Sequence, residues 1–147
     1  MTIEITICDT ADAEVVQALG ELMPQLSQSA PPPTAEEIAE IIEHDAATLL
    51  LAREAENILG SMTLIIFPIP TGLRAWIEDV VVDERFRGRG VGEALNRRAI
   101  EIALAAGAKT IDLTSRPSRS AANRLYQRLG FVARDTNIYR YEAGTIE

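Results

Sequence analysis

The sequence predicts one α/β or α+β domain over residues 1–147, with a single mixed, largely antiparallel sheet of six to seven strands flanked by four helices. Three observations carry this reading. Stretches of strand alternation and of helical periodicity follow one another in the order β-α-α-β-β-β-α-β-α-β-β. Val80, Val81 and Val82 are apolar on both faces of a strand, as expected where helices cover both sides of a sheet. The length of 147 residues is that of one domain, and 47% hydrophobic with 24% charged residues is ordinary globular composition.

Each element has its own signal. Ile3, Ile5 and Ile7 alternate with Glu4 and Thr6, a strand with one buried face. Asp9 and Thr10 offer caps for a helix through Val15, Val16, Leu19 and Leu22, which Pro24 stops. Residues 27–33 hold three consecutive prolines and form an extended loop. Thr34 and Glu37 make a capping box that opens a second helix on Ile38, Ile41 and Ile42. Residues 48–52 and 58–67 read as a hairpin turning at Glu56-Asn57, and 67–72 as a loop broken by two prolines. A strand over 76–82 leads through a glycine-rich turn into a helix over 91–106, ended by Gly107 as C′. A strand at 110–114, a helix over 118–129 capped by Ser118, and strands at 131–134 and 138–141 complete the order.

Charge and residue usage exclude several classes. Twenty-two acidic against fourteen basic residues give a net charge of -8, which repels phosphate backbones and argues against nucleic-acid binding. A cationic substrate fits this balance better. A single cysteine, Cys8, and a single histidine, His44, allow no internal disulfide and no His/Cys metal centre. Cys8 is a small core residue, and His44 faces the carbonyls at the end of the second helix. No basic, apolar leader and no membrane-length run is visible, so a soluble, cytoplasmic protein is expected, without membrane partners.

The chemistry converges on residues 80–92. A buried strand enters a turn with alternate glycines, Gly88, Gly90 and Gly92, and a helix follows at once. Glycines allow positive φ and close backbone approach, and the first N–H groups of a helix lack intrahelical partners. Such a turn holds phosphate, and Arg87 and Arg89 add positive charge. A Walker loop needs Lys-Ser/Thr after its glycines, which is absent here. Glu93 stands where the dinucleotide fingerprint needs its third glycine, so nucleotide binding through that motif is excluded as well.

Arg87-x-x-Gly90-x-Gly92 resembles the Gln/Arg-x-x-Gly-x-Gly/Ala signature of the GNAT family of N-acetyltransferases. Downstream, Ala122, Tyr126, Gly130 and Phe131 resemble that family's Ala-x-x-x-Tyr-x-x-x-Gly-Phe segment. The resemblance implies the acyl-CoA N-acyltransferase fold and acetyl-CoA as co-substrate, with no metal. The turn Arg87, Gly88, Arg89, Gly90, Val91 and Gly92 would wrap the pyrophosphate, and the backbone at Val80 and Val82 would pair with the pantetheine arm. The family often carries Asn seven residues before the tyrosine, where this chain has Arg119, so Arg119 or Asn123 is the candidate coenzyme contact there.

The implied reaction moves an acetyl group to a primary amine of a small molecule, peptide or protein, by direct attack in a ternary complex. It needs a neutral amine and a proton for the departing thiolate. Tyr126 is the candidate acid, against the plainer reading of a helix tyrosine packed beside Phe131. Glu78, in an Ile-Glu-Asp context that resembles the family's, is the candidate base. Asp79 is its rival, and alternation lets at most one of the two face the cleft. Trp76, Asp79 and Arg116 are substrate candidates, and the loop 67–74 is either a pocket wall or a homodimer contact. The competing reading is a non-catalytic CoA-binding sensor or structural protein on the same fold.

Overall fold

The computed structural model describes residues 2–144. These fall into two compact units, one ending at Thr114 and one beginning at Ser115.

The first unit is a five-stranded sheet in the order β1-β2-β3-β4-β5. Its strands are β1 (Glu4–Ile7), β2 (Ala47–Glu54), β3 (Asn57–Ile69), β4 (Gly72–Val82) and β5 (Thr110–Asp112), and only the β4–β5 pair is parallel. The isoleucine row of β1 lies on a sheet edge, and Ile7 remains exposed. The expected break at 67–72 is instead a continuation of the β3–β4 hairpin, with Ile69 opposite Gly72. Pro68 is tolerated there for a directional reason. The Ile66 N–H points towards β2 and bonds to Ala46; two residues on, the proline nitrogen faces the same way, beyond the start of β2, where no ladder bond is lost.

Helices α1 (Ala13–Leu26) and α2 (Ala35–Glu43) cover one sheet face. Val15, Leu19, Leu22 and Ile38 pack there with Cys8, Leu49, Leu51 and Val81. The cap of α1 is Asp12, whose carboxylate accepts from the Val15 N–H, rather than Asp9 or Thr10, which bond to each other. Pro24 does not stop α1: it gives up one bond near the end, and the helix still closes through Ser27 N–H to Met23. The capping box at Thr34 and Glu37 is present, with both bonds made. His44 sits at the C-cap of α2, where its Nδ1 accepts from the Ala46 N–H instead of meeting carbonyls.

On the other face, Leu50, Met62, Leu64 and Ile77 alternate away from that cluster, towards α3 (Val91–Ala105). Val91, Leu95, Ala99 and Ala103 of α3 are buried. Gly60 permits this contact: a Cβ there would lie 2.6 Å from the Val81 carbonyl and 3.3 Å from the Val91 side chain. Gly107, at φ +94, closes α3 with its N–H on Leu104 and the Ala108 N–H on Ala103, a Schellman ending.

The second unit holds α4 (Ser120–Leu129), with Arg119 rather than Ser118 at the N-cap. The strands expected at 131–134 and 138–141 are absent, so the sheet has five strands and not six to seven. Alternation marks a stretch able to form a strand, but a strand also needs a neighbour's N–H and C=O groups. Val132, Ile138, Tyr139 and Tyr141 are exposed, and no ladder forms along this segment. No helix among the described residues is long and apolar enough to cross a membrane.

Candidate active site

The turn after β4 is held from below by side chains that sequence reasoning passed over. Asp83 is buried; its N–H bonds to Leu59 at 2.8 Å, and its carboxylate accepts from the Arg85 N–H at 3.0 Å. The same carboxylate holds the Arg85 guanidinium at 2.8 Å, and this hydrogen bond keeps Asp83 below the ordinary carboxylate range against the opposing effect of burial. From α1, the Gln25 side-chain oxygen accepts the Glu84 N–H at 2.9 Å. Together these shape the short 3-10 turn Glu84–Phe86.

Beyond it the backbone takes over. Gly88 and Gly90 stand at φ +79 and +82, which L side chains rarely adopt. Nothing lies within 4 Å of where a Cβ would project from either one, so the space above the turn is open. Gly90 is the N-cap of α3 and offers no side-chain cap, which leaves the first helical N–H groups for another acceptor. Asn96, fully buried, donates from Nδ2 to the Gly92 carbonyl at 2.8 Å and braces the first turn of α3. Its Oδ1 is buried without a partner.

The two arginines of the turn differ. Arg87 is exposed and makes one long bond, Nε to the Val82 carbonyl at 3.4 Å, with no carboxylate partner among the described residues. Arg89 grips both oxygens of Glu54 at 3.1 and 2.9 Å and lies 5.6 Å from the Phe86 ring centre. It ties the turn to the end of β2. Its partner is thirty-five residues away in sequence, which is why spacing within the motif could not reveal it.

Strand β4 is irregular where the candidate base lies. Ser61 pairs with Val81 and Thr63 with Glu78, so Asp79 and Val80 together face Met62. This is a bulge, and Asp79 takes φ +53 within it. Strict alternation therefore fails, and both Glu78 and Asp79 are exposed. Strand β5 pairs only with Arg74, Ala75 and Trp76. Among the described residues, the edge of β4 from Ile77 to Val82 has no strand beside it on that side.

Cross-strand partners share a face, which places Arg74, Trp76 and Glu78 with Thr63, Ile65 and Phe67 on the side where α1 and α2 cover Leu49 and Val81. The Trp76 indole N–H donates to Oε2 of Glu78 and holds this carboxylate along the strand.

In the second unit Tyr126 is buried, and its ring meets Phe131 edge-on at 5.8 Å and 75°. Burial raises the Tyr126 phenol above its ordinary value, with the Arg119 charge opposing. Asn123 donates from Nδ2 to the Arg116 carbonyl at 3.0 Å, while the Arg116 and Arg119 side chains are exposed. The Ser115 hydroxyl is buried without a partner. The candidate residues thus lie in two groups: Trp76 to Gly92 in the first unit, and Arg116, Arg119, Asn123 and Tyr126 in the second.

A bulged strand, a glycine turn and a helix without a side-chain cap thus follow one another here, and known proteins share this fold. The model of the Acetyltransferase (GNAT) family matches residues 15–131, and the chain belongs to this family. A solved structure of a putative acetyltransferase from Agrobacterium tumefaciens superposes with a TM-score of 0.84 at 27% identity, covering 95% of this chain and 99% of that one. An N-alpha-acetyltransferase of Arabidopsis thaliana is 37% identical over 68 residues, 46% of this chain and 35% of that protein. An uncharacterized N-acetyltransferase of Methanocaldococcus jannaschii is 39% identical over 61 residues, 42% of this chain and 27% of that protein. The chain thus spans well under two thirds of the length of the curated relatives it matches.

Proposed function

We propose that this chain is an acetyl-CoA-dependent N-acetyltransferase that acetylates a primary amine by direct attack within a ternary complex. The observation that carries this reading is the uncapped N-terminus of α3 behind the positive-φ glycines, beside the free edge of β4. A pyrophosphate needs several convergent N–H donors and a bare backbone, and this turn offers both. The family match from 15 to 131 runs across both compact units and supports one acetyltransferase domain over 1–147.

Acetyl-CoA supplies the acetyl thioester. The N–H groups of Gly88, Val91 and Gly92, with Arg87, hold its pyrophosphate, and Arg89 braces the turn through Glu54. The backbone of Val80 and Val82, on the unpaired edge, receives the pantetheine amides as a strand would. Arg119 or Asn123 adds a contact from α4; Arg119 has the freer side chain, because the Asn123 amide is engaged with Arg116.

An alkylamine, with a pKa of about 10.4, is protonated at neutral pH and must lose a proton before it attacks. Glu78 takes it: Trp76 occupies Oε2, and Oε1 is left to accept. Tyr126 gives a proton to the departing thiolate, and burial favours its protonated, donating form across neutral pH. On this proposal the acceptor amine belongs to a small molecule, peptide or protein, and the reaction is a cytoplasmic one.

The test is CoA thiol release over an amine panel, run with the native chain and with Tyr126→Phe. Amine-dependent release is expected, and the variant should turn over about a hundredfold more slowly at unchanged acetyl-CoA affinity, the lower end for a general acid because a thiolate leaves readily. Coenzyme binding without release by any amine would instead mark a non-catalytic binder.

A further inference from the structure

The first unit contains seven arginines: Arg53, Arg74, Arg85, Arg87, Arg89, Arg97 and Arg98. Arg53, Arg85, Arg89, Arg97 and Arg98 each hold a carboxylate. Arg87 and Arg74 hold none among the described residues. Arg87 belongs to the phosphate turn, where a free guanidinium has an evident use. Arg74 lies elsewhere, on the face of β4 that carries Trp76 and Glu78.

The surroundings of Arg74 fix the group and leave its charge uncompensated. Its Nη1 donates to the Thr110 hydroxyl at 3.3 Å and its Nη2 to the Thr71 hydroxyl at 3.0 Å. A guanidinium has five N–H donors, so most of its fork remains available. Both partners are neutral. The Lys109 side chain lies over Gly72 in the same turn and adds a second positive charge at this end of the hairpin. At the other end of the strip stands Glu78, exposed. Trp76, half-buried, separates the two ends; Asp112 of β5 stands beside it and makes no ion pair with Arg74.

A strand rises about 3.3 Å per residue, so the backbone positions of Arg74 and Glu78 are roughly 13 Å apart. The strip therefore has a cationic end, an aromatic middle and an anionic end. On the reading that Glu78 receives the reacting amine, we propose that Arg74 recognises an anionic group on the acceptor. The substrate class is then an amine bearing a carboxylate or phosphate on the order of 10 Å from its nitrogen, with hydrocarbon between to lie on Trp76. The net charge of -8 would otherwise repel such a molecule, so a local cation is needed to admit it.

This inference rests on the acetyltransferase reading, and one assay separates the two. CoA release is measured with ω-aminoalkanoates against their carboxamides, and with ω-aminoalkyl phosphates against the corresponding alcohols. The anionic member of a pair should be used about tenfold more efficiently, the lower end for a charge-assisted contact at a half-exposed group. The carboxylate and phosphate arms show which anion is preferred. Arg74→Gln should erase the preference by raising KM for the anionic member, leaving the neutral member and the KM for acetyl-CoA within about twofold. A purely structural role, through Thr71 and Thr110, would impair both members alike and overturns the inference. So does equal use of charged and neutral amines by the native chain, which leaves the acetyltransferase reading standing. Absence of release with every amine overturns that reading, and this inference with it.

Discussion

The turn that follows β4 and the sheet face that precedes it are neighbours in sequence and are built on opposite plans. In the turn, backbone would carry the proposed function. Gly88 and Gly90 adopt conformations closed to most residues, α3 starts without a cap, and Asp83, Gln25, Glu54 and Asn96 serve only to hold that backbone in place. On the face, side chains would carry it: Arg74, Trp76 and Glu78 project from a strand whose irregularity, the bulge at Asp79, leaves Asp79 exposed next to Glu78. On the proposed reading, the part that holds the coenzyme relies mainly on peptide groups, helped by Arg87, whereas the part that meets the acceptor relies on side chains that substitutions can change.

The largest effect that sharpens this contrast is on the face. Glu78→Gln should lower turnover by about a hundredfold, most severely where the amine is still protonated, while acetyl-CoA affinity stays unchanged. Rate profiles over pH with the variant and with Asp79→Asn check this. If Asp79→Asn carries the loss and Glu78→Gln does not, the bulge has handed the base role to its neighbour.

A smaller effect is expected from the brace beneath the turn. The Asp83 carboxyl lies below its ordinary value because Arg85 bonds to it, so its stabilisation is complete above about pH 4 and disappears as pH falls through that lowered value. Asp83→Asn keeps a capping oxygen but removes the charge that Arg85 holds, so it should cost up to about 1 kcal/mol, the range for an ion pair with an exposed partner, and should flatten the acid limb of the stability curve. Denaturant unfolding of both proteins between neutral and acidic pH measures it. An unchanged acid limb would mean that Asp83 does not brace the turn.

The same contrast explains what could be read in advance. Positive φ at Gly88, Gly90 and Gly107 leaves glycine in the sequence, so the turn, α3 and its ending are legible, as is the capping box at Thr34. The hairpin of β2 and β3 is legible too, but its turn falls at Ala55-Glu56 rather than Glu56-Asn57, with Ala55 at φ +52 and no glycine to mark it. The brace from Arg89 to Glu54 and the bulge opposite Met62 depend on which distant residues meet, and no local pattern encodes that. Pro24 and Pro68 misled because a proline breaks an element only where its missing N–H was needed. Residues 131–134 and 138–141 have strand alternation yet form no ladder, since pairing depends on a partner that alternation does not supply.

Whether bare backbone at the start of α3 holds the coenzyme can be measured by titrating acetyl-CoA into the native chain and into Gly90→Val. Nothing lies within 4 Å of the position a Cβ would take at Gly90, so the variant has room to fold, while φ +82 is unfavourable for valine and its side chain would stand where the pyrophosphate approaches. The affinity should fall by about tenfold or more, equivalent to at least about 1.4 kcal/mol, with the circular dichroism of the native fold retained. An unchanged dissociation constant in a folded Gly90→Val protein would mean that this turn does not hold the coenzyme.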